Sequence, residues 1–88
     1  MKLIIAIIKD EDKDAVSRAL TKGEFRVTLI ASTGGFLRSG RSTLLAGVDD
    51  EQVDAALEII RKACKKPKES QEKRAIIFVL KVDQFTQL

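Results

Sequence analysis

From Gly35 to Ser42 the chain reads Gly-Phe-Leu-Arg-Ser-Gly-Arg-Ser. This is the spacing of a phosphate-cradling loop, G-x-x-x-x-G-K-[ST], with arginine in the lysine position. A nucleotide-hydrolysing loop of that kind lies between a strand and a helix, so that helical N–H groups meet the phosphates. Here the residues that follow, Thr43-Leu44-Leu45-Ala46-Gly47-Val48, have the composition of a strand. The setting argues against hydrolysis, but the loop keeps other chemistry. Gly34, Gly35 and Gly40 can present bare backbone N–H groups as an anion nest. Arg38 and Arg41 add fixed positive charge with forked geometry for phosphate. Phe36 and Leu37 are apolar residues at a loop tip. They either contact a ligand or partner, or fold back onto the core as part of an ordinary glycine-rich hairpin.

The remaining polar groups point to structural roles. Asp10-Glu11-Asp12-Asp14 and Asp49-Asp50-Glu51 sit where helices begin, as caps and partners of the positive helix end. Cys64 falls on an apolar helical stripe, where packing is its expected role. Lys62, Lys65, Lys66 and Lys68 form a basic helix end. The chain has no histidine and a single cysteine. The commonest general acid/base and the commonest zinc ligands are therefore missing, and no metal or other cofactor is expected. An internal disulfide is excluded, which fits a cytoplasmic setting. A net charge of +3 permits an anionic ligand without calling for DNA or RNA. The apolar stretch near the start stops at Lys9-Asp10-Glu11-Asp12, so neither membrane insertion nor secretion is expected.

The elements that must position the loop follow from periodicity. Leu3–Ile8 reads as a buried strand. A helix follows with Ala15, Val16, Ala19 and Leu20 on one face, ended by Gly23. Phe25–Ala31 is a strand with Phe25, Val27, Leu29 and Ala31 on one side and Arg26, Thr28 and Ile30 on the other. After the loop from Ser32 to Arg41 comes a strand from Thr43 to Val48. Asp49 or Asp50 caps a second helix with Val53, Leu57, Ile60 and Cys64 on its stripe. Lys65–Lys73 is a polar connection, Ala75–Val82 a fourth strand and Asp83–Leu88 a tail. The order strand-helix-strand, strand-helix-strand predicts a single α+β domain over residues 1–88. Its plan is ferredoxin-like βαββαβ: an antiparallel four-stranded sheet with two helices on one face.

Two helices cover one face of such a sheet, yet the first and fourth strands are apolar on both. The first strand sets Leu3, Ile5 and Ile7 against Ile4, Ala6 and Ile8. The fourth sets Ile77 and Val79 against Ile76, Phe78 and Leu80. A wet sheet face would alternate polar with apolar. A homo-oligomer with its sheet faces turned inward is the expected cover. Arg26 and Thr28, on the side away from the helices, would then face the subunit interface, where a charged residue calls for a partner or an anionic ligand.

With these elements in place the chain resembles the PII-like cyclic di-AMP receptor proteins of Gram-positive bacteria. The resemblance is carried by Met1-Lys2-Leu3-Ile4-Ile5-Ala6-Ile7, Phe25-Arg26-Val27-Thr28, Thr33-Gly34-Gly35-Phe36-Leu37, Gly40, Thr43, Gly47-Val48-Asp49-Asp50, Phe78-Val79-Leu80 and Gln84-Phe85. It implies a PII-like homotrimer with cyclic di-AMP bound at clefts between subunits. It also implies a signalling rather than a catalytic role, in which ligand-dependent loop rearrangement is relayed to a downstream protein. The resemblance assigns the ligand to Gly35, Phe36 and Leu37 in the loop, to Arg26 and Thr28, and to Gly47.

Two departures qualify it. The family pattern has asparagine after the loop glycine, where this chain has Arg41. A guanidinium donates hydrogen bonds but accepts none, so it cannot reproduce an amide's paired contact with adenine; phosphate is the contact left to it. The connection Lys65–Lys73 is also much shorter than the family's second loop. The alternative is therefore a PII-like interaction module that has lost cyclic di-AMP or takes another anionic nucleotide.

Overall fold

A computed structural model of the chain describes residues 1–31, 40–64 and 75–88, with Ala31 described by its backbone alone. The glycine-rich loop residues Gly34, Gly35, Phe36, Leu37 and Arg38, and the connection Lys65–Lys73, lie outside the described residues. The elements run β1 (Lys2–Lys9), α1 (Asp10–Lys22), β2 (Val27–Ala31), β3 (Arg41–Val48), a 3₁₀ turn (Asp50–Gln52), α2 (Val53–Ala63) and β4 (Ala75–Lys81). The sheet order is β2-β3-β1-β4 with antiparallel pairing throughout. This is the expected βαββαβ arrangement, with both helices on one face.

Residue alternation decides which side chains meet the helices. Ile4, Ala6 and Ile8 of β1 stand beside Ala46, Leu44 and Ser42 of β3, and all of them are buried. Val16 and Leu20 of α1 and Ala56 and Ile60 of α2 close over this row. Burying a side chain of that size contributes about 1.5–3 kcal/mol each. Val53, Leu57, Cys64, Phe25, Val27 and Ile77 pack around the margin.

Several local expectations change. The buried row of α1 is Asp12, Val16 and Leu20, at intervals of four; Ala15 is exposed and Ala19 half-buried. Neither Asp10 nor Asp12 caps α1, whose N-cap is Lys9 with no side-chain cap bond. Asp10 is instead the first helical residue. Its N–H donates to the Gly40 carbonyl at 2.8 Å, and its carboxylate accepts from the buried Ser42 hydroxyl. Asp49 and Asp50 likewise do not cap α2. Asp49 leads into the 3₁₀ turn, where its carbonyl accepts from the Gln52 N–H at 2.9 Å, and Asp50 lies 3.1 Å from the Met1 ammonium.

The end of α1 is shifted by one residue from the glycine rule. Phe25 N–H donates to the Leu20 carbonyl and Glu24 N–H to the Thr21 carbonyl, each at 2.9 Å. This is the paired closure of a Schellman motif, whose left-handed position is usually glycine. Here Glu24 occupies it, with φ 69°, while Gly23 has φ −80°. Gly23 answers a packing need instead. A Cβ there would stand 3.1 Å from Cδ1 of Ile59 on α2.

The face away from the helices carries Leu3, Ile5 and Ile7 of β1, Thr43, Leu45 and Gly47 of β3, and Ile76, Phe78 and Leu80 of β4, in register across the three strands. Phe78 is 51% exposed, and Ile76 and Leu80 are each 47% exposed. The doubly apolar pattern of the sequence therefore corresponds to a broad, uncovered apolar sheet face.

Candidate functional site

The site begins at the β2–β3 pair. Val27 stands opposite Ala46 and Thr28 opposite Leu45. Since Ala46 faces the helices, Val27 does too, and Thr28 faces the open side with Leu45. Arg26, just before the strand, shares that side and is exposed. One strand further, Gly47 stands opposite Leu3 of β1. The residues Arg26, Thr28, Leu45, Gly47 and Leu3 thus lie side by side on the uncovered face. Past Leu29 the register slips, so that Ala31 pairs with Thr43. This departs from the expected simple alternation through Ala31 and places the irregularity next to the loop.

The chain's last segment walls this patch. Val82 N–H donates to the Met1 carbonyl at 3.2 Å, which lays the start of the tail against β1. Phe85 and Gln87 follow, and together with Met1 and Val82 they enclose a cleft of about 460 Å³ over the five sheet residues. That size falls within the roughly 300–1,000 Å³ of small-molecule sites. Its floor is apolar, and no described atom lies within 4 Å of where a Gly47 Cβ would stand. The residues around the cleft that carry polar groups include Arg26, Thr28, Gln87 and Met1 with its ammonium. Such a cleft can hold a flat apolar body beside an anionic group, since a guanidinium binds phosphate in forked fashion.

Three expected site residues, Arg26, Thr28 and Gly47, are therefore brought together. Arg41 is not with them. It opens β3, opposite Lys9, while Gly47 stands near the strand's other end. At roughly 3.4 Å per residue the two Cα atoms are about 20 Å apart. Arg41 is moreover a strand residue, not a loop residue, and is half-buried on the open side. Gly35, Phe36 and Leu37 lie outside the described residues. The wall formed by Met1, Val82, Phe85 and Gln87 was not singled out from residue types. The signal for it in the sequence is an aromatic, Phe85, among the polar residues Asp83, Gln84, Thr86 and Gln87.

Electrostatics is simple among the described residues. Hydrogen bonding from the Met1 ammonium, then its charge, holds the Asp50 carboxyl below its ordinary 3.8, with Lys2 and Lys81 adding to the effect. Arg61 likewise lowers Glu58 and is itself raised by it. Glu58 and Arg61 do not line the cleft, whereas Asp50 pairs with the ammonium of Met1, one of its wall residues. No grouping of described acidic or cysteine side chains could hold a metal ion. No described helix is long and apolar enough to cross a membrane.

Comparison with known proteins adds two findings. Residues 1–71 match a family model described as "Cyclic-di-AMP receptor". A crystal structure of a functionally unknown protein from Pediococcus pentosaceus ATCC 25745 is 37% identical, with a TM-score of 0.82 over 99% of this chain and 96% of that one.

Proposed function

This chain belongs to the cyclic di-AMP receptor family, a receptor rather than a catalytic family, and from that premise we propose that it binds a cyclic dinucleotide, cyclic di-AMP first, as a homotrimer. One observation carries the reading. Arg26, Thr28 and Gly47 line a single cleft on a largely apolar sheet face that the two helices leave uncovered. Packing three copies with their sheet faces inward buries Ile5, Ile76, Phe78 and Leu80 and turns each cleft into a site between subunits. Arg26 then takes a phosphate, and the apolar floor at Leu3, Leu45 and Gly47 takes a base. Arg41, about 20 Å away along β3, enters the site from a neighbouring copy, as do Gly35, Phe36 and Leu37 of the loop that precedes it. Binding rearranges that loop, and the rearranged surface is what a downstream protein reads.

Arg41 favours a second form of the same reading. Because a guanidinium cannot accept a hydrogen bond from an adenine amine, its contribution is to phosphate, and selectivity for adenine rests elsewhere in the site. Calorimetric titration with cyclic di-AMP, other cyclic dinucleotides and ATP, run beside light scattering, tests both forms. Saturable binding of cyclic di-AMP to a trimer is expected. A preference for another anionic nucleotide selects the second form. A monomer at micromolar concentration, or no binding of any of them at high micromolar concentration, rejects the proposal.

A further inference from the structure

Asp10 is tied to both neighbours of Arg41. Its N–H, one of the donors a helix start leaves without an intrahelical acceptor, donates to the carbonyl of Gly40 at 2.8 Å. Its carboxylate accepts from the hydroxyl of Ser42. Gly40 is held at φ +83°, a conformation that suits glycine. Ser42 is completely buried among the side chains beneath the helices, so its hydroxyl needs an internal acceptor. Arg41 lies between these two anchored residues and, by strand alternation, faces the opposite, open side.

We propose that Asp10 and Ser42 are positioning residues for the ligand site. They touch no ligand, but fix the backbone on both sides of Arg41 so that its guanidinium is presented to the dinucleotide. This deepens the function proposed above and rests on it for the part played by ligand. The same latch gives the helix face a mechanical link to the ligand face, because any shift of Arg41 on binding is carried by two hydrogen bonds to the first residue of α1.

The test uses the full chain with Ser42→Ala, Asp10→Ala and Asp10→Asn. Amide hydrogen exchange at Asp10 reads the latch without ligand, and cyclic di-AMP titration reads its consequence. Losing the Ser42 hydroxyl should speed exchange at Asp10 about tenfold or more while Ile4–Ile8 stays protected. It should also weaken binding about tenfold, because the half-buried Asp10 carboxylate loses its donor and no longer holds the strand at Ser42. Asp10→Asn keeps an acceptor oxygen and the backbone donor, and should stay within about threefold of the parent. Unchanged exchange at Asp10 in Ser42→Ala overturns the latch. Faster exchange with unchanged affinity overturns its positioning role, as does a lowered melting temperature with both readouts unmoved. If the parent chain binds no nucleotide while Ser42→Ala still frees Asp10, the anchoring of Arg41 is supported and the ligand reading alone falls.

Discussion

Replacing Gly47 by alanine should move stability and binding in opposite directions. Gly47 lies in β3, is exposed, and has no left-handed backbone to protect. A Cβ built on it meets nothing within 4 Å. The native backbone accepts alanine without strain, and the unfolded chain loses freedom. The variant should therefore be more stable by about 0.4–1 kcal/mol. For a domain of this size that raises the melting temperature by about 2–8 °C, at about 4–8 °C per kcal/mol. The new methyl stands on the cleft floor between Leu3 and the Arg26–Thr28 row. A ligand seated there has to shift, at the cost of about 1–3 kcal/mol typical of an overpacked contact. Affinity should fall about 5- to 140-fold, at about 1.4 kcal/mol for each factor of ten. Differential scanning fluorimetry without ligand and calorimetry with it give both numbers from one preparation. A raised melting temperature with undiminished affinity would refute the cleft as the ligand site. A lowered melting temperature would refute the claim that Gly47 is open ground.

Three further outcomes are expected. Arg26→Ala and Arg41→Ala chains should each bind poorly, yet refolding them together should restore a fraction of full-affinity sites, because a mixed interface can join an intact Arg26 to an intact Arg41; no recovery in the titration means both act within one copy. Glu24→Gly should stabilise the fold by about 1 kcal/mol, as it removes a side chain from the left-handed closure of α1; an unchanged urea midpoint would show that Glu24 makes a compensating contact. Stability should decline as pH falls below the ordinary carboxylate values of 3.8 for Asp50 and 4.5 for Glu58. Both carboxyls are held lower in the folded chain than in the unfolded one, so their contribution is present above those values and is lost as pH drops through the folded ones. Asp50→Asn should flatten that acid limb in urea titrations run at successive pH values, and an identical slope would contradict the bridge to Met1.

Much of the architecture is legible locally. The β-rich run at Leu3–Ile8, the helical recurrence of Val16 with Leu20 and of Val53 with Leu57 and Ile60, and the order of the elements each depend on neighbours within a few residues. Period two and period 3.6 are written into the chain itself. The apolar character of both faces of β1 and β4 is equally local. It announced an uncovered sheet face before any strand was placed. Caps were less legible. An aspartate at a helix start can cap it, pair elsewhere or be buried: Asp12 is buried, while Asp10 and Asp50 pair with groups far along the chain.

The tertiary structure decided what the sequence spacing could not: which polar residues share a site. Arg26 and Gly47 are 21 positions apart in the sequence but line one cleft, since β2 pairs with β3 and β3 with β1. Gly47 and Arg41 are close in sequence but lie at opposite ends of one extended strand. Arg41, read along the sequence as the end of the glycine-rich loop, is the first residue of β3. Cross-strand register obeys no local signal. It is fixed by which apolar rows bury one another, and that sum runs over the whole sheet. Periodicity therefore gave the order of the elements and put Arg26 and Thr28 on one strand face, and the family resemblance added Gly47. The register made those three neighbours, set Arg41 apart, and tied Arg41 through Ser42 and Gly40 to the first residue of a helix on the other side of the sheet.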